Sequence, residues 1–181
     1  CLFCQYVLRT FEGEPSQTDS TYQKSAFLIR LIYDDTLILN HQGGQNQMKD
    51  IEIGPIRPPS ESESLLVRVT RGCHWNKCYF CGLYKSMKFS MRPIEETIAD
   101  IERQAELYQD KKFKSCFLQD GDALVLKTDY LLRILEALNK CFPDLEYITS
   151  YARVDSITRK SLAELKELRQ AGLNHLYCGM E

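Results

Sequence analysis

From residue 64 onward the apolar positions switch repeatedly between two rhythms. Short apolar runs of strand length alternate with stretches in which apolar residues recur every three or four positions, the period of a helix with one buried face. The segment "SLLVRVT" (residues 64–70) predicts a first strand. "RPIEETIADIERQAELY" predicts a helix. Pro93 suits its first position, Glu95 and Glu96 suit the positive end of its dipole, and Ile94, Ile98, Ile101 and Ala105 form one stripe. "FKSCFLQ" (residues 113–119) is a second strand, followed by "DGDALV". "TDYLLRILEALNKC" is a second helix, with Leu131, Ile134, Leu135 and Leu138 on one face. "LEYITSYA" (residues 145–152) is a third strand, "SLAELKELRQAG" a third helix with a capping box from Ser161 and Glu164 and a stop at Gly172, and "LNHLYCGM" a fourth strand.

The order β-α-β-α-β-α-β predicts an α/β fold with a parallel sheet and right-handed crossovers, a partial (β/α) TIM-like barrel over residues 61–181. In barrels of this kind functional groups gather on the loops at the carboxyl ends of the strands. That places Cys73, Cys78 and Cys81 after the first strand, and Asp120, Gly121 and Asp122 after the second. Tyr151 and Arg153 follow the third strand, and Glu181 follows the fourth.

Residues 1–60 have a different texture and predict a small β-rich N-terminal segment. Phe27, Ile29, Leu31 and Tyr33 alternate along one face of an expected hairpin over residues 25–40, with its turn at Asp34 and Asp35. "HQGGQNQ" is loop, and "MKDIEIGPIRPPSESES" predicts one more short strand and then a Pro/Ser-rich linker. There is no Met at position 1, and the chain stops directly after the fourth expected strand. The expectation is a piece of a longer protein, its barrel truncated after that strand.

Composition narrows the function classes. The 181 residues are 44% apolar and 27% charged, ordinary for a domain with a real core. A net charge of -2 implies no general attraction to nucleic acid or anionic lipid and argues against a dedicated RNA binder. No apolar run reaches membrane-span length and no signal peptide opens the chain, so the cytoplasm is the expected location. Eight cysteines is a high count, but the chain is larger than domains that need disulfide staples. Cys116, Cys141 and Cys178 fall singly in apolar segments and read as buried small hydrophobes.

The clustered cysteines are different. "RGCHWNKCYFCGLY" packs Cys73, Cys78 and Cys81 into one short loop after the first strand, and reads as a metal site. Thiolates select zinc, copper(I) or iron–sulfur clusters. Structural zinc wants four protein ligands. His74 is the nearest fourth but adjoins Cys73, which would contort the backbone, leaving a remote ligand such as Cys1 or Cys4. A cluster held by three cysteines instead leaves one iron open for a substrate or cofactor.

With "VTRGCHWNKCYFCGLY", "FLQDGDALV", "YARVDSI" and "GLNHLYCGME" in this order over residues 64–181, the sequence resembles the radical S-adenosylmethionine superfamily. The resemblance implies a [4Fe–4S] cluster on Cys73, Cys78 and Cys81, whose fourth iron binds S-adenosylmethionine. One electron, from a donor such as flavodoxin or ferredoxin, would cleave that molecule to methionine and a 5′-deoxyadenosyl radical that abstracts hydrogen from the substrate. The first spacing departs from the family's Cys-x3-Cys: four residues, "HWNK", separate Cys73 from Cys78. Carried over position by position, Phe80 matches the aromatic residue whose backbone meets the adenine. Gly121 and Asp122, or Asp120 beside them, match the place where the methionine amino group is held, and Arg153 would pair the methionine carboxylate or a substrate anion. Glu181 would contact the ribose.

Rival readings stay open at this level. "DGD" alone is an ordinary strand-to-helix turn, Arg153 alone a solvated arginine, and Tyr151 a packing residue. His74 and Trp75 shield the cluster or merely sit at the surface. His175 reads as structural and His41 carries no signal. Cys1 and Cys4 are half of a zinc ribbon, an auxiliary cluster or unrelated. The whole loop could serve a non-catalytic zinc-binding module, or a cluster used for electron transfer alone. No residue picks out the substrate.

Overall fold

In the computed structural model the structure describes residues 51–179. The hairpin expected over residues 25–40, Cys1 and Cys4, His41 and Glu181 lie outside the described residues. The elements run β1 (Leu65–Arg68), β2 (Thr70–Arg71), β3 (Ser90–Met91), α1 (Ile94–Leu107), β4 (Ser115–Gln119), α2 (Thr128–Cys141), β5 (Tyr147–Ala152), α3 (Val154–Thr158), α4 (Leu162–Gln170) and β6 (Leu173–Cys178). Short 3-10 turns occupy Pro59–Glu61 and Ala123–Val125.

The four strands expected from the pattern form one parallel sheet in the order β1-β4-β5-β6. Leu65 lies opposite Cys116, Cys116 opposite Ile148, and Ile148 opposite Leu173, so one row of apolar side chains crosses the whole sheet. This row belongs to the helix-covered face. Leu65, Val67, Cys116, Leu118, Ile148, Ala152 and Leu173 pack there with Ile101 of α1, the Leu131, Ile134, Leu135 and Leu138 stripe of α2, and Leu168 of α4. Period-2 strands and period-3.6 helices each present one apolar stripe, and burying the two together supplies the main driving force for the layer.

The opposite face of the sheet is aromatic and polar. Phe117 meets the rings of Tyr151 and Tyr177 edge-on at 5.1 and 6.2 Å. Residues expected to be a strand and a linker lie along this face. No strand forms over residues 51–58. Instead Gln119 holds the segment with its side chain, accepting from the Gly54 amide at 2.8 Å and donating to the Gly54 and Ile56 carbonyls. Glu61, also buried, accepts from the Tyr177 hydroxyl at 2.6 Å. Pro55, Pro58 and Pro59 deny the stretch the regular N–H ladder of a strand, so side chains supply the partners.

Three smaller differences have local causes. Helix α1 starts at Ile94 with Pro93 as its N-cap, one residue later than expected. Helix α3 and the β2–β3 pair were absent from the pattern because each is too short to show a period. Cys116 is buried as expected and Cys141 half-buried, but Cys178 is exposed, because β6 pairs on one side only among the described residues.

Helix α4 carries the expected capping box, with the Ser161 amide donating to Glu164 at 2.8 Å and the Glu164 amide donating back to the Ser161 hydroxyl. Gly172 has φ +109, the left-handed turn after a helix that glycine adopts without cost. Hydrogen bonds from the Thr128 hydroxyl, first, and then from Ser161 depress the Glu164 carboxyl from 4.5 to about 2. A depressed carboxyl contributes stability that is fully present above its ordinary value and lost as pH falls through its folded value. The midpoint of thermal unfolding should therefore drop between pH 4.5 and about 2, and Glu164→Gln should flatten that part of the curve, read by circular dichroism.

Candidate metal and cofactor site

Strand β1 carries the chain to the site. Its line continues through Val69, whose amide donates to the Gln119 carbonyl at 2.7 Å, and then turns away into β2 and the cysteine loop. The turn is made at Gly72, which has φ +80, a conformation that glycine supplies readily. Its amide donates to Asp120 Oδ2 at 2.9 Å. Cys73 follows immediately, with Gly121 pressed against it. A Cβ on Gly121 would sit 3.0 Å from Cys73 Cβ and 3.4 Å from its Sγ, so only glycine leaves the backbone after β4 this close to the thiol.

The rest of the loop is held by its own backbone. Asn76, at φ 47, donates through its side chain to the Tyr84 carbonyl at 2.7 Å, and Lys85 donates to the Asn76 carbonyl at 2.8 Å. The Cys81 amide turns back to the Cys78 carbonyl at 3.4 Å. Cys73, Cys78 and Cys81 are in no disulfide and are all half-buried. Phe80 beside them is 71% exposed.

Under the loop lies a charge network that the sequence reading missed. Asp120 is 0% exposed and binds Arg68 twice through one oxygen, at 3.0 Å from Nε and 2.6 Å from Nη2. Glu52 in turn binds Arg68 at 3.0 Å, Arg71 at 2.6 Å and Arg92 at 3.2 Å. Arg92 also binds Asp100 at 2.9 Å. The hydrogen bond from Arg71, ahead of the other arginine charges, holds the Glu52 carboxyl below its ordinary value against the opposing effect of burial. One signal was available: an arginine inside the apolar run "SLLVRVT" needs a buried counter-charge. Which carboxylate answers it was not readable, because Glu52 lies in the N-terminal segment, outside the predicted barrel.

The other predicted residues surround the loop. Asp122 accepts from the Leu124 amide at 3.1 Å and from the Ser156 hydroxyl, and faces His74 Nδ1 at 3.3 Å. Burial pushes its carboxyl up, against the lowering effect of the Ser156 hydrogen bond and the His74 charge. The far nitrogen of His74 faces Asp155 at 3.8 Å, and neither contact has hydrogen-bond geometry. Both ring nitrogens are thus turned to carboxylates, so His74 is neither a surface residue nor a fourth ligand placed beside Cys73. Arg153 donates to Asp155 at 2.9 Å and stacks on Trp75 at 4.6 Å, with Lys77 also over that ring at 5.1 Å. It pins the loop by a cation–π contact and is far from a solvated arginine. Tyr151 packs against Phe117 and Tyr177, and the exposed His175 meets the ring of Tyr147 at 5.3 Å.

Three thiols on one loop are soft donors, of the kind that iron–sulfur clusters take. Among the described residues no three His, Cys, Asp or Glu side chains converge as ligands of one ion. Zinc would draw its ligands to about 2.0–2.3 Å from one point, whereas a cluster spaces its thiolates around a larger core. The donor set is three soft thiols with the Gly121 backbone beside the first.

Fold and loop together define an α/β protein with a thiol-rich loop at the carboxyl end of its first parallel strand. The Radical SAM superfamily profile matches residues 67–181, more than half of the chain, and the chain belongs to that superfamily. Neither a curated protein nor a solved structure matches it. Among the described residues no helix is long and apolar enough to cross a membrane.

Removing the hub of the network should be costly. Glu52→Gln leaves Arg68, Arg71 and Arg92 converging on a neutral amide and should destabilise the chain by about 2 kcal/mol, the scale of a charge-assisted hydrogen bond. Glu96→Gln, at an exposed contact with Arg71 and Arg92, should cost about 0–1 kcal/mol. Urea unfolding of the two variants checks the contrast.

Proposed function

We propose that the protein is a radical S-adenosylmethionine enzyme that uses a [4Fe–4S] cluster on Cys73, Cys78 and Cys81 to start radical chemistry on a substrate still to be identified. The observation that carries this reading is the seating of Cys73 against the Gly121 backbone, in a chain that belongs to the superfamily. A bound cluster supplies the electron that splits S-adenosylmethionine and generates a radical able to take hydrogen from the substrate. The electron itself comes from a donor such as flavodoxin or ferredoxin.

The chain's own residues hold and orient. Gly121 offers an uncovered peptide to the methionine end of S-adenosylmethionine. Asp122 holds the turn that follows Gly121, its oxygens accepting from Leu124 and Ser156. Phe80, exposed beside Cys81, presents its backbone to the adenine, and Glu181 contacts the ribose. Arg153 fixes Trp75, two residues after Cys73, by stacking on its ring. The extra residue in "HWNK" is absorbed at Asn76, whose positive φ lets the chain bulge while its side chain ties back to Tyr84. In this reading the parallel sheet is part of a (β/α) barrel.

Anaerobic reconstitution of the full-length protein with iron and sulfide tests the reading. The expected product is brown, shows a reduced EPR signal that changes on adding S-adenosylmethionine, and releases 5′-deoxyadenosine after reduction. Replacing any one of Cys73, Cys78 and Cys81 by Ala should abolish all three. A colourless protein with one tightly bound zinc would overturn it. A brown protein that never releases 5′-deoxyadenosine would leave only an electron-transfer or scaffolding cluster.

A further inference from the structure

We propose that Asp120 is a positioning residue that staples the start of the cysteine loop to the end of β4, holding Cys73 in place through the Gly72 amide. The inference rests on the reading of the loop as a cluster site, and it gives Asp120 a role different from direct contact with the methionine amino group.

The geometry converges on this one carboxylate. Its Oδ2 accepts three bonds, two from Arg68 and one from the Gly72 amide, the last backbone group before Cys73. The next residue, Gly121, lies against the Cys73 side chain itself. The dipeptide Asp120–Gly121 therefore holds Cys73 from two sides, through the Gly72 N–H and along its Cβ. Asp120 Oδ1 and the hydroxyl of the buried Tyr84, three residues after Cys81, have no hydrogen-bond partner among the described residues. Oδ1 is also closed off from solvent on one side by Gly54, where a Cβ would come within 2.2 Å of it.

Arg68 makes the staple rigid. A buried carboxylate swinging toward a ligand would leave the guanidinium without its strongest partner, and an uncompensated buried charge is far costlier than the pair. Arg68 cannot follow the carboxylate, because its Nη1 is bound to Glu52 and its Nε also donates to the Thr70 carbonyl. Asp120 is thus fixed on the Gly72 side, and the work it does for the site passes through the position of Cys73. Outer residues that orient metal ligands typically change metal affinity or activity by roughly 10–100-fold when removed.

The test uses the full chain, with and without iron, as wild type, Asp120→Ala and Asp120→Asn. In the iron-free protein, hydrogen exchange should show the Gly72 amide losing protection in Asp120→Ala while the amides of β4 and β5 keep theirs. In the reconstituted protein, loss of the visible absorption to a chelator should be about tenfold faster for Asp120→Ala. The EPR signal of the reduced cluster without S-adenosylmethionine should shift, with Asp120→Asn intermediate because its amide oxygen still accepts from Gly72. A role in fold stability alone would lower the melting temperature and leave that signal unmoved. The proposal is overturned if Gly72 protection, chelator rate and the cofactor-free signal are all unchanged while affinity for S-adenosylmethionine falls by a comparable factor, since Asp120 would then touch the cofactor. Should Asp120→Ala fail to fold, Asp120→Asn and Arg68→Lys carry the same comparison from the two sides of the pair. If the wild type takes up no cluster, the enzyme reading fails on its own, and the exchange experiment still decides whether Asp120 holds Gly72.

Discussion

Burying the Arg68 guanidinium beside Asp120 strips water from two charges at once, and mutual attraction alone seldom repays that loss. It is offset here by the number of bonds that converge on the pair. One oxygen of Asp120 takes three donors, and Arg68 spreads its own donors over Asp120, Glu52 and the Thr70 carbonyl. Much of what surrounds the thiols hangs on this pair. Gly72 turns the chain into the cysteine loop against Asp120, Glu52 brings residues 51–56 onto the sheet, and Arg71 and Arg92 are drawn to Glu52 from the two strands of the β2–β3 hairpin and its end.

The two faces of the sheet divide the labour. The helix side is a hydrocarbon layer that any sequence with the right periods would form. The other side is held by directed bonds, from Gln119 to Gly54 and Ile56, from Tyr177 to Glu61, and from Ser64 to Glu61 and Ser115. Strand β4 is buried along its whole length because it serves both faces. Cys116 and Leu118 look to the helices, Phe117 and Gln119 to the covering segment, and the chain leaves the strand at Asp120 and Gly121 beside Cys73.

A site built this way spends its charged side chains inward. Asp120 is engaged with Arg68, and Asp122, Asp155, His74 and Arg153 mostly face one another, while the Gly121 backbone lies against the Cys73 thiol. That suits a site whose reactive electrons are carried by a bound group: the protein's part is to hold ligands still and limit water, and preorganised dipoles do so without titrating.

Much of this was legible before folding. The strand–helix alternation, the α2 stripe, the Ser161–Glu164 box and the Gly172 stop are local patterns, determined by residues within one or two turns of each other, and the sequence alone determined them. So did the placement of Cys73, Cys78 and Cys81 after the first strand, since chain order in a parallel sheet dictates which loops share an end. What the sequence could not determine is which partner each polar residue would take. Asp120 and Asp122, adjacent in one turn, face different elements, and Arg153 chooses Trp75 and Asp155 over solvent. Glu52, from the expected N-terminal segment, binds three arginines. Those pairings join residues as far as 116 positions apart, as in Glu61 with Tyr177. Local pattern carries no information about them, because a buried charge is satisfied by whichever group the packed elements bring within reach. Only the tertiary structure decided that.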